Sequence, residues 1–450
     1  MKDFTLAEIA KACNGEYVGD ESLKNAKITS VERDSRQVKN GSLFLAIKGE
    51  RVDGHDFIEK CFAQGAVCAL CEKAPEKATK PCIVVPSTLD AVKKIGRAYR
   101  EKFDIPVIGI SGSVGKTSTK EMLYAVLSQK FKTHKTQGNL NNELGVPLTL
   151  LSMPEDTEAA VIEMGISDFG EMTRLSEMVQ PTICVLTIIG ECHLENLGDR
   201  DGVLKAKTEM FKNARETADF ILNGDDDKLS TVKTVNGKKP VFFGLDAKND
   251  FYAKNIKNSG DGKVLATLCF DNNNIDVEIP AIGTYMVTNA LAAAAAGKLL
   301  GLTDEEIANG VASYKTVGSR ANVINTGKIK IIDDCYNANP TSVRASLDTL
   351  SNLDGRKVAI LGDMKELGSE ELKLHFDTGV YAKSKDIGTV ITVGELAKEL
   401  AKGADGKAFD TIEDAKPEIL KTIKSGDVVL VKASHSMQFE NIVEFLKQNF

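Results

Sequence analysis

The stretch from Pro106 to Thr119, PVIGISGSVGKTST, decides the fold class of this chain. Its apolar residues around Ile108 predict a short buried strand, a glycine-rich turn follows, and Lys116 and Thr117 open a helical pattern. Glycines let the backbone approach an anion, the first helical amides point at it, a lysine adds positive charge, and a threonine hydroxyl can bind Mg²⁺. This order of strand, turn and helix predicts a nucleotide-phosphate site.

The glycine spacing departs from the standard phosphate loop. The standard pattern has a glycine where this chain has Ile110, and the glycines here are Gly109, Gly112 and Gly115. Because the tripeptide GKT is common by chance, the prediction depends on the apolar strand before it and the amphipathic helix after it. The alternative is an ordinary turn between a strand and a helix.

Length, charge and cysteine content limit the class of protein. A chain of 450 residues exceeds one typical core, so we expect two or three domains. A net charge of -7 argues against a general nucleic-acid-binding protein, which needs a basic field. The first residues predict a short amphipathic helix, and no stretch reaches the ~20 apolar residues of a membrane span. Nine cysteines without regular spacing favour reduced thiols and a cytoplasmic location.

Residues 1–102 are predicted to form a small α/β unit without a phosphate loop. Short strands alternate with helices, the last of them at 89–100. The segment 49–57 crowds charged residues between two glycines. It is either a solvated loop that leads to a helix N-cap at Asp56 or a binding loop, and the residues leave both interpretations open.

From residue 103 the pattern becomes strand, helix, strand with short connections, which predicts a mainly parallel sheet covered on both faces. One strand ends at Glu163, and another leads to His193. Ligands collect at the carboxyl ends of such strands, so both side chains should face the same crevice as the phosphate loop. We predict that both bind Mg²⁺; the alternatives are a solvated rim glutamate and a structural histidine.

Other parts of the same unit are less specific. The amide-rich run at 136–143, with Asn139 and Asn142, is either a turn with asparagine caps or a polar wall near the phosphates. Lys207 falls in a helical stretch, where lysines normally face water. Residues 247–280 alternate with period two around an Asp-Asn-Asn-Asn turn, which predicts a β insertion or an edge sheet.

The pattern resets near residue 315, after a helix predicted at 286–300 that carries Asn289. The last unit again alternates strands and helices but has no phosphate loop. Polar residues follow its predicted strands, among them Asp334, Asn337, Asn339, Asp363 and His435. Several polar strand ends on one sheet predict a second crevice face that closes over the first.

Seven stretches, taken in order, resemble the Mur ligase family of ATP-dependent amide-forming enzymes: RDSRQVKNGSLFLAIKGERVDGHDF, GISGSVGKTSTKE, GNLNNELGVPLTLL, AVIEMGISDFGEM, HLENLGDRDGVLKAKTEMF, DDCYNANPTS and LGDMKELG. The match covers essentially the whole chain. It implies an α/β fold of three domains: a UDP-sugar-peptide-binding domain at 1–102, a central phosphate-loop ATPase domain at 103–314, and a Rossmann-like domain at 315–450 that closes over ATP and binds the incoming dipeptide.

The resemblance also implies roles for single residues. Lys116 would hold the β and γ phosphates, Thr117 and Glu163 would bind one Mg²⁺, and His193 a second. Lys207 falls where many family members carry a lysine carbamate that bridges to the second Mg²⁺, although not every such ligase uses it. Reaction with CO₂ turns a neutral amine into an oxygen ligand with a negative charge.

The remaining site expectations also come from the resemblance. Arg320 aligns with an arginine that reaches the ATP phosphates, Asp334 with a ribose ligand, and Asn289 with an adenine-contacting asparagine. The expected ATP-binding residues are Gly112, Ser113, Gly115, Lys116, Thr117, Ser118, Asn289, Arg320 and Asp334. The expected substrate-binding residues are Ser35, Arg36, Asn139, Asn142, Asn337, Asn339 and His435. The residues expected to take part in catalysis are Lys116, His193, Lys207 and Arg320.

Two positions depart from the family pattern. The usual HNV before Asn289 reads Tyr285-Met286-Val287, so one adenine-side asparagine is missing. His435 stands where members commonly have an arginine after KxS, and a histidine would meet a carboxylate only with a pH-dependent charge.

The stretches GNLNNELGVP, YNANP and DSR…GHDF favour family members that add D-alanyl-D-alanine to UDP-N-acetylmuramoyl-tripeptide in peptidoglycan precursor synthesis. ATP would phosphorylate the terminal carboxylate of the tripeptide, and the dipeptide amine would then displace phosphate. The alternatives are another Mur ligase, a folylpolyglutamate-type ligase, or a non-catalytic ATP-binding regulatory protein. We expect a monomer with no nucleic-acid partner and no membrane span.

Overall fold

The computed structural model describes residues 1–259, 262–271 and 273–450. Three α/β units follow one another along the chain and contain four sheets. The predicted α/β class with mainly parallel sheets is therefore confirmed. No helix of the described residues is long and apolar enough to cross a bilayer.

The first unit has a five-stranded sheet of order β1-β5-β4-β3-β2, in which only β1 runs antiparallel. Its strands are β1 Glu16–Val18, β2 Ser30–Glu32, β3 Ser42–Leu45, β4 Cys68–Cys71 and β5 Cys82–Val84. Its helices are α1 Leu6–Cys13, α2 Ile58–Gln64 and α3 Thr88–Arg100. The predicted amphipathic N-terminal helix corresponds to α1, which begins at a capping box of Thr5 and Glu8.

The helix cap predicted at Asp56 is wrong. The Asp53 carboxylate accepts the hydrogen bond from the His55 backbone N–H, at 3.0 Å, and opens a short 3₁₀ turn before α2. No side chain caps α2 itself. Gly54 in this turn lies directly against the Ile47 backbone, where a Cβ would be 2.7 Å from the Ile47 nitrogen.

The second unit is built on a six-stranded parallel sheet of order β11-β10-β9-β6-β8-β7. Its strands are β6 Val107–Ser111, β7 Thr133–Lys135, β8 Ala159–Glu163, β9 Ile183–Leu186, β10 Asp219–Asn223 and β11 Val241–Phe243. Its helices are α4 Lys116–Leu127, α5 Gly145–Leu151, α6 Glu171–Val179, α7 Leu194–Leu197, α8 Arg200–Thr208, α9 Tyr285–Leu299 and α10 Asp304–Ala312. Because β8 and β9 flank β6, the carboxyl ends of all three strands lie together beside the phosphate loop.

A three-stranded antiparallel sheet joins this unit and confirms the predicted β insertion. Its strands are β12 Tyr252–Ser259, β13 Lys263–Phe270 and β14 Asn273–Ile279. The turn predicted at 271–274 includes Asn272, which lies outside the described residues. The alanine-rich α9 is buried along its length and packs against α4, so it supports the helix that leaves the phosphate loop.

The third unit has a six-stranded sheet of order β15-β16-β20-β17-β18-β19, parallel except for the edge strand β15. Its strands are β15 Asn322–Asn325, β16 Lys330–Asp333, β17 Arg356–Gly362, β18 Thr389–Val393, β19 Lys407–Phe409 and β20 Asp427–Lys432. Its helices are α11 Pro340–Ser351, α12 Glu371–Ser384, α13 Ala397–Ala404, α14 Ile412–Thr422 and α15 Glu440–Asn449.

The three units are not equally joined. One continuous apolar core runs from the first unit into the second, and the buried Tyr99 hydroxyl crosses the boundary to donate to the Met153 carbonyl at 2.9 Å. The third unit is built on two apolar clusters of its own, to which Ile282 is the one contributor from the earlier part of the chain. Shared cores resist relative motion and separate cores permit it, so this packing would permit the third unit to move as a body.

Candidate active site

One cavity of about 630 Å³ lies between the strand ends of the two six-stranded sheets. It brings together residues predicted from both the second and the third unit. The predicted site residues that line it are Ser113, Gly115, Lys116, Thr117, Ser118, Asn142, Glu163, His193, Asn289, Arg320, Asp334, Asn337 and Asn339. We call this cavity the interdomain cleft.

The phosphate loop connects β6 to α4 along one wall of the cleft. Gly112 has φ 151° and lies so close to β9 that a Cβ would be 1.9 Å from the Thr187 hydroxyl. Thr187 in turn donates to the Val114 carbonyl at 2.6 Å, which holds the loop against the sheet. Lys116 folds back and donates to the Gly112 carbonyl at 2.6 Å. Ile110 is a buried residue of β6, and the backbone approaches β9 closely at Gly112 instead. The loop therefore has no need of a glycine at position 110.

Glu163 ends β8 and is only 1% exposed. The Thr117 hydroxyl donates to its Oε2 at 2.9 Å, and the Asn141 amide donates to its Oε1 at 2.8 Å. The ammonium of Lys120 lies 3.5 Å from Oε2. A buried carboxylate needs such partners to remain ionised. Sequence reasoning missed Asn141 and Lys120, although Lys120 stands one helical turn after Lys116.

The Lys120 side chain belongs to a larger buried charge network. Its ammonium is also 3.3 Å from Glu121 Oε1, and Glu121 forms a short ion pair with Lys135 on β7. Lys120 and Glu121 are both buried. Opposite charges alternate through this network, so the wall behind the phosphate loop is fixed by electrostatics as well as by packing.

His193 reaches the cleft from the loop after β9, in a left-handed conformation with φ 52°. Its Nδ1 lies 2.6 Å from Oε2 of Glu366, which follows β17 in the third unit. This contact with His193 holds the pKa of Glu366 below its usual value. Glu366 lies within the stretch LGDMKELG, yet its sequence position alone does not indicate a contact with His193.

Lys207 lies on α8 behind the loop and is 1% exposed, so it is not the exposed helical lysine that its position suggested. Its ammonium makes no hydrogen bond or ion pair within the described part of the chain. Burial lowers the pKa of Lys207 to about 8, and the charge of Lys116 acts in the same direction. Lys207 does not line the cleft itself.

The opposite wall comes from the third unit. Asp334 accepts hydrogen bonds from Lys432 and from the Ser346 hydroxyl, both at 2.6 Å. Arg320 lines the cleft with its guanidinium carbon 3.5 Å from the centre of the Tyr336 ring. Tyr336 and Lys432 also line the cleft and were not among the predicted residues.

Asn289 reaches the cleft from α9 and is buried. Its Oδ1 accepts from the Thr119 hydroxyl at 2.9 Å, and its Nδ2 lies 3.4 Å from the sulfur of Met286. The departure at Met286 thus places a buried thioether against the one asparagine that remains. Asn289 braces the first turns of α4, and its contact with adenine stays a prediction.

Two cleft asparagines act as structural caps. The Asn142 side chain accepts from the Gly145 backbone at the start of α5, at 2.8 Å. The Asn339 side chain accepts from the Ser342 backbone and caps α11. Asn142 therefore fits both interpretations of the amide-rich run, because it caps a helix and also lines the cleft, whereas Asn139 is exposed outside the lining.

The other predicted substrate residues lie outside the lining of the cleft. Ser35 and the exposed Arg36 are in the first unit, where Arg36 pairs with Asp34 at 2.7 Å and holds the pKa of Asp34 at about 2. The exposed His435 follows β20, and its ring lies 5.8 Å from that of Tyr336. Their contacts with substrate stay predictions.

Three family models match successive parts of the chain. The matches are to "Mur ligase family, catalytic domain" at residues 27–104, "Mur ligase middle domain" at 110–297, and "Mur ligase, glutamate ligase domain" at 319–435. Together they span all three units.

Individual relatives match over almost their whole length. The chain is 36% identical to the UDP-N-acetylmuramoyl-tripeptide–D-alanyl-D-alanine ligase of Bacillus subtilis, over 98% of each protein. A crystal structure of MurF from Acinetobacter baumannii superimposes with a TM-score of 0.92 at 32% identity, covering 100% of this chain and 99% of that one. MurF from Thermotoga maritima, solved in complex with ADP, gives 0.84 at 30% identity over 93% and 97% of the two chains.

Proposed function

Because this chain belongs to the Mur ligase family, we propose that it is an ATP-dependent ligase that joins D-alanyl-D-alanine to UDP-N-acetylmuramoyl-tripeptide in peptidoglycan precursor synthesis. The observation that carries the proposal is the full-length similarity to ligases of that name. The cleft adds physical support, because a phosphate loop with a buried carboxylate faces an arginine from a separate unit.

The second unit supplies the groups for ATP. The Gly112–Ser118 loop and the start of α4 direct backbone N–H groups and the Lys116 ammonium toward the phosphates. The Thr117 hydroxyl and the Glu163 carboxylate lie side by side, and such a pair of oxygen donors fits Mg²⁺. When bound, the ion neutralises phosphate charge. The relative solved with ADP supports nucleotide use by this fold.

A second Mg²⁺ would use His193 and, as a carbamate, Lys207. His193 has Nδ1 beside Glu366, which leaves Nε2 as its donor atom. The lowered pKa of Lys207 raises the fraction of neutral amine that reacts with CO₂, and its lack of protein partners leaves room for an added charge. An unmodified amine would not serve as a ligand, so this second set depends on the modification.

In the reaction, a carboxylate oxygen of the tripeptide attacks the γ phosphorus of ATP and ADP leaves. The amine of D-alanyl-D-alanine then attacks the acyl carbon of the acyl phosphate, phosphate leaves, and one proton is lost from the nitrogen. Lys116 and Arg320 offset the negative charge that collects as two anions meet. Arg320 comes from the third unit, so chemistry depends on closure of that unit over the nucleotide.

We assign the finer roles as part of the same proposal. The domains at 1–102, 103–314 and 315–450 would bind the UDP-sugar peptide, ATP and the dipeptide respectively. Ser35 and Arg36 would contact the UDP-sugar peptide, Asn337 would lie near the dipeptide, and Asp334 would contact the ribose. A monomeric, cytoplasmic enzyme remains the expectation.

Product formation with the purified protein tests the proposal. ADP release should require both UDP-N-acetylmuramoyl-tripeptide and D-alanyl-D-alanine, and the product should be the pentapeptide by mass. Arms with L-alanine, D-glutamate or a folate plus glutamate test the other ligases, and tripeptides ending in a diamino acid or in lysine identify the third residue. Nucleotide binding without any substrate-stimulated phosphate release would instead favour a regulatory protein.

A further inference from the structure

Among the described residues, the Arg320 guanidinium makes its aromatic contact with the ring of Tyr336. Its carbon lies 3.5 Å from the centre of the Tyr336 ring, a van der Waals distance at which the positive charge meets the negative face of the ring. Arg320 makes no hydrogen bond or ion pair among the residues that the structure describes. Its N–H donors therefore remain available to an anion in the cleft, and the aromatic contact alone restrains the side chain.

The backbone on both sides of Arg320 is fixed to the loop that carries Tyr336. The Tyr336 N–H donates to the Ser319 carbonyl at 3.1 Å, and the Ala321 N–H donates to the Asp334 carboxylate at 3.1 Å. Ala321 also adopts φ 53°, a left-handed conformation that disfavours alanine. Such a strained backbone conformation persists because the surrounding hydrogen bonds hold it, and strain of this kind clusters at functional sites.

The Tyr336 ring, rather than its hydroxyl, makes these contacts. The hydroxyl has no hydrogen-bond partner within the described ranges, whereas the ring contacts Arg320 and lies 5.8 Å from the His435 ring. Tyr336 and Arg320 both line the cleft, and His435 lies outside its lining.

We propose that Tyr336 is a positioning residue for Arg320, and that its aromatic face holds the guanidinium where it meets the transferring phosphoryl group. This rests on the proposed function, since the role of Arg320 in phosphoryl transfer is part of it. An arginine without such a support samples many rotamers and reaches the productive one only part of the time. Tyr336 acts on the reaction through Arg320 and needs no contact of its own with substrate.

A double-mutant cycle in the full-length protein tests this role. Tyr336→Leu should lower kcat by about 10-fold while the KM values of the three substrates stay within about twofold, and Tyr336→Phe should retain kcat because it keeps the ring. In an Arg320→Ala background, Tyr336→Leu should cause no further loss, since the group it positions is gone. Losses that multiply, or a Tyr336→Phe variant as impaired as Tyr336→Leu, would overturn the proposal.

A measurement without turnover separates this proposal from the ligase assignment. The side-chain Nε–H resonance of Arg320, assigned with Arg320→Lys, should be displaced by the ring current in wild type and in Tyr336→Phe. It should return to an ordinary position in Tyr336→Leu. If the resonance is displaced but the protein has no ligase activity, the assigned reaction is refuted and the contact between Tyr336 and Arg320 still stands. If the resonance is not displaced in wild type, the contact itself is refuted.

Discussion

The two walls of the interdomain cleft differ in how their charged side chains are held. On the second unit, Glu163, Lys120 and Glu121 are buried and linked by hydrogen bonds and ion pairs. On the third unit, Arg320 is only half-buried and is restrained mainly by an aromatic face. The wall of the second unit is held by buried polar contacts, and the wall of the third unit presents Arg320 from a separately packed body.

The difference follows from the cores beneath the two walls. The second unit shares a continuous apolar core with the first, whereas the third unit packs on apolar clusters of its own. The third unit meets the second through polar contacts, such as the pair of His193 and Glu366 and the hydrogen bond from Thr341 to Glu191, and through the apolar side chain of Ile282. In the proposed function, the binding groups lie on the wall of the second unit, here called the rigid wall, and Arg320 lies on that of the third unit, here called the moving wall.

The largest expected effect is on the rigid wall. Lys116→Met should lower kcat by about 1,000-fold, because it removes the one positive charge of the loop that faces the phosphates. ATP affinity should fall as well, since this group binds in the ground state too. Steady-state ADP release and nucleotide titration measure both quantities.

Lys132→Met is the matched control for this change. Lys132 is exposed and pairs with Asp156 at 3.0 Å on the surface of the same unit, so its loss should leave both quantities unchanged. If Lys116→Met lowered kcat but left ATP affinity unchanged, Lys116 would not contribute to ATP binding in the ground state. The proposed difference between the two walls would then be contradicted.

The next largest effect is on the moving wall. Arg320→Ala should lower kcat by about 100-fold and leave ATP binding nearly unchanged, because this arginine meets the phosphates only when the cleft is closed. The exposed Lys315 lies just before it and provides a control, Lys315→Ala, that should retain activity. Equal losses of kcat and ATP affinity would show instead that Arg320 is part of the resting nucleotide site.

Much of the rigid wall was predictable from sequence because its signals are local. The strand before the phosphate loop, the helix after it and the strand that ends at Glu163 each follow from hydrophobic periodicity over a few residues. The structure also has both hydrogen bonds of a capping box of Thr303 and Glu306 at the start of α10, a signal that likewise spans only a few residues.

Contacts between distant residues were not predictable in this way. Burial of Lys207 depends on how α8 packs behind the loop, and the pair of His193 and Glu366 depends on two units meeting. Even the local cap at Asp56 was wrong, because Asp53 opens a 3₁₀ turn before α2 instead. Periodicity describes which face of an element is buried, and it carries no information on which elements meet.

A smaller effect concerns the stability of the rigid wall. Lys207→Met should stabilise the protein at pH 7 by on the order of 2 kcal/mol in CO₂-depleted buffer, because the native state no longer buries a cation. The native pKa of about 8 lies below the unfolded value, so wild type gains stability as pH rises from about 8 toward that value. The advantage of Lys207→Met should shrink over the same range. Denaturant unfolding at several pH values measures it.

The exposed Lys205 on the same helix provides the control, since Lys205→Met should change stability little at any pH. A destabilised Lys207→Met variant at pH 7 would mean that Lys207 is already held by a partner, as in a carbamate that persists. Incorporation of ¹³C-labelled bicarbonate into wild type, absent from Lys207→Met, would identify that partner.

The smallest expected effect lies where the two walls touch. Glu366→Gln should lower kcat by only about threefold, because a polar contact with one partner half exposed contributes little net free energy. Glu370→Gln, also exposed and close by in sequence, should have no effect. If the contact with Glu366 serves only to close the cleft, kcat falls slightly and the apparent affinity for divalent cations does not change. A fall in kcat close to that of Arg320→Ala, together with weaker affinity for divalent cations, would mean that Glu366 orients His193. The moving wall would then also take part in binding, and the two walls would not differ in the way proposed.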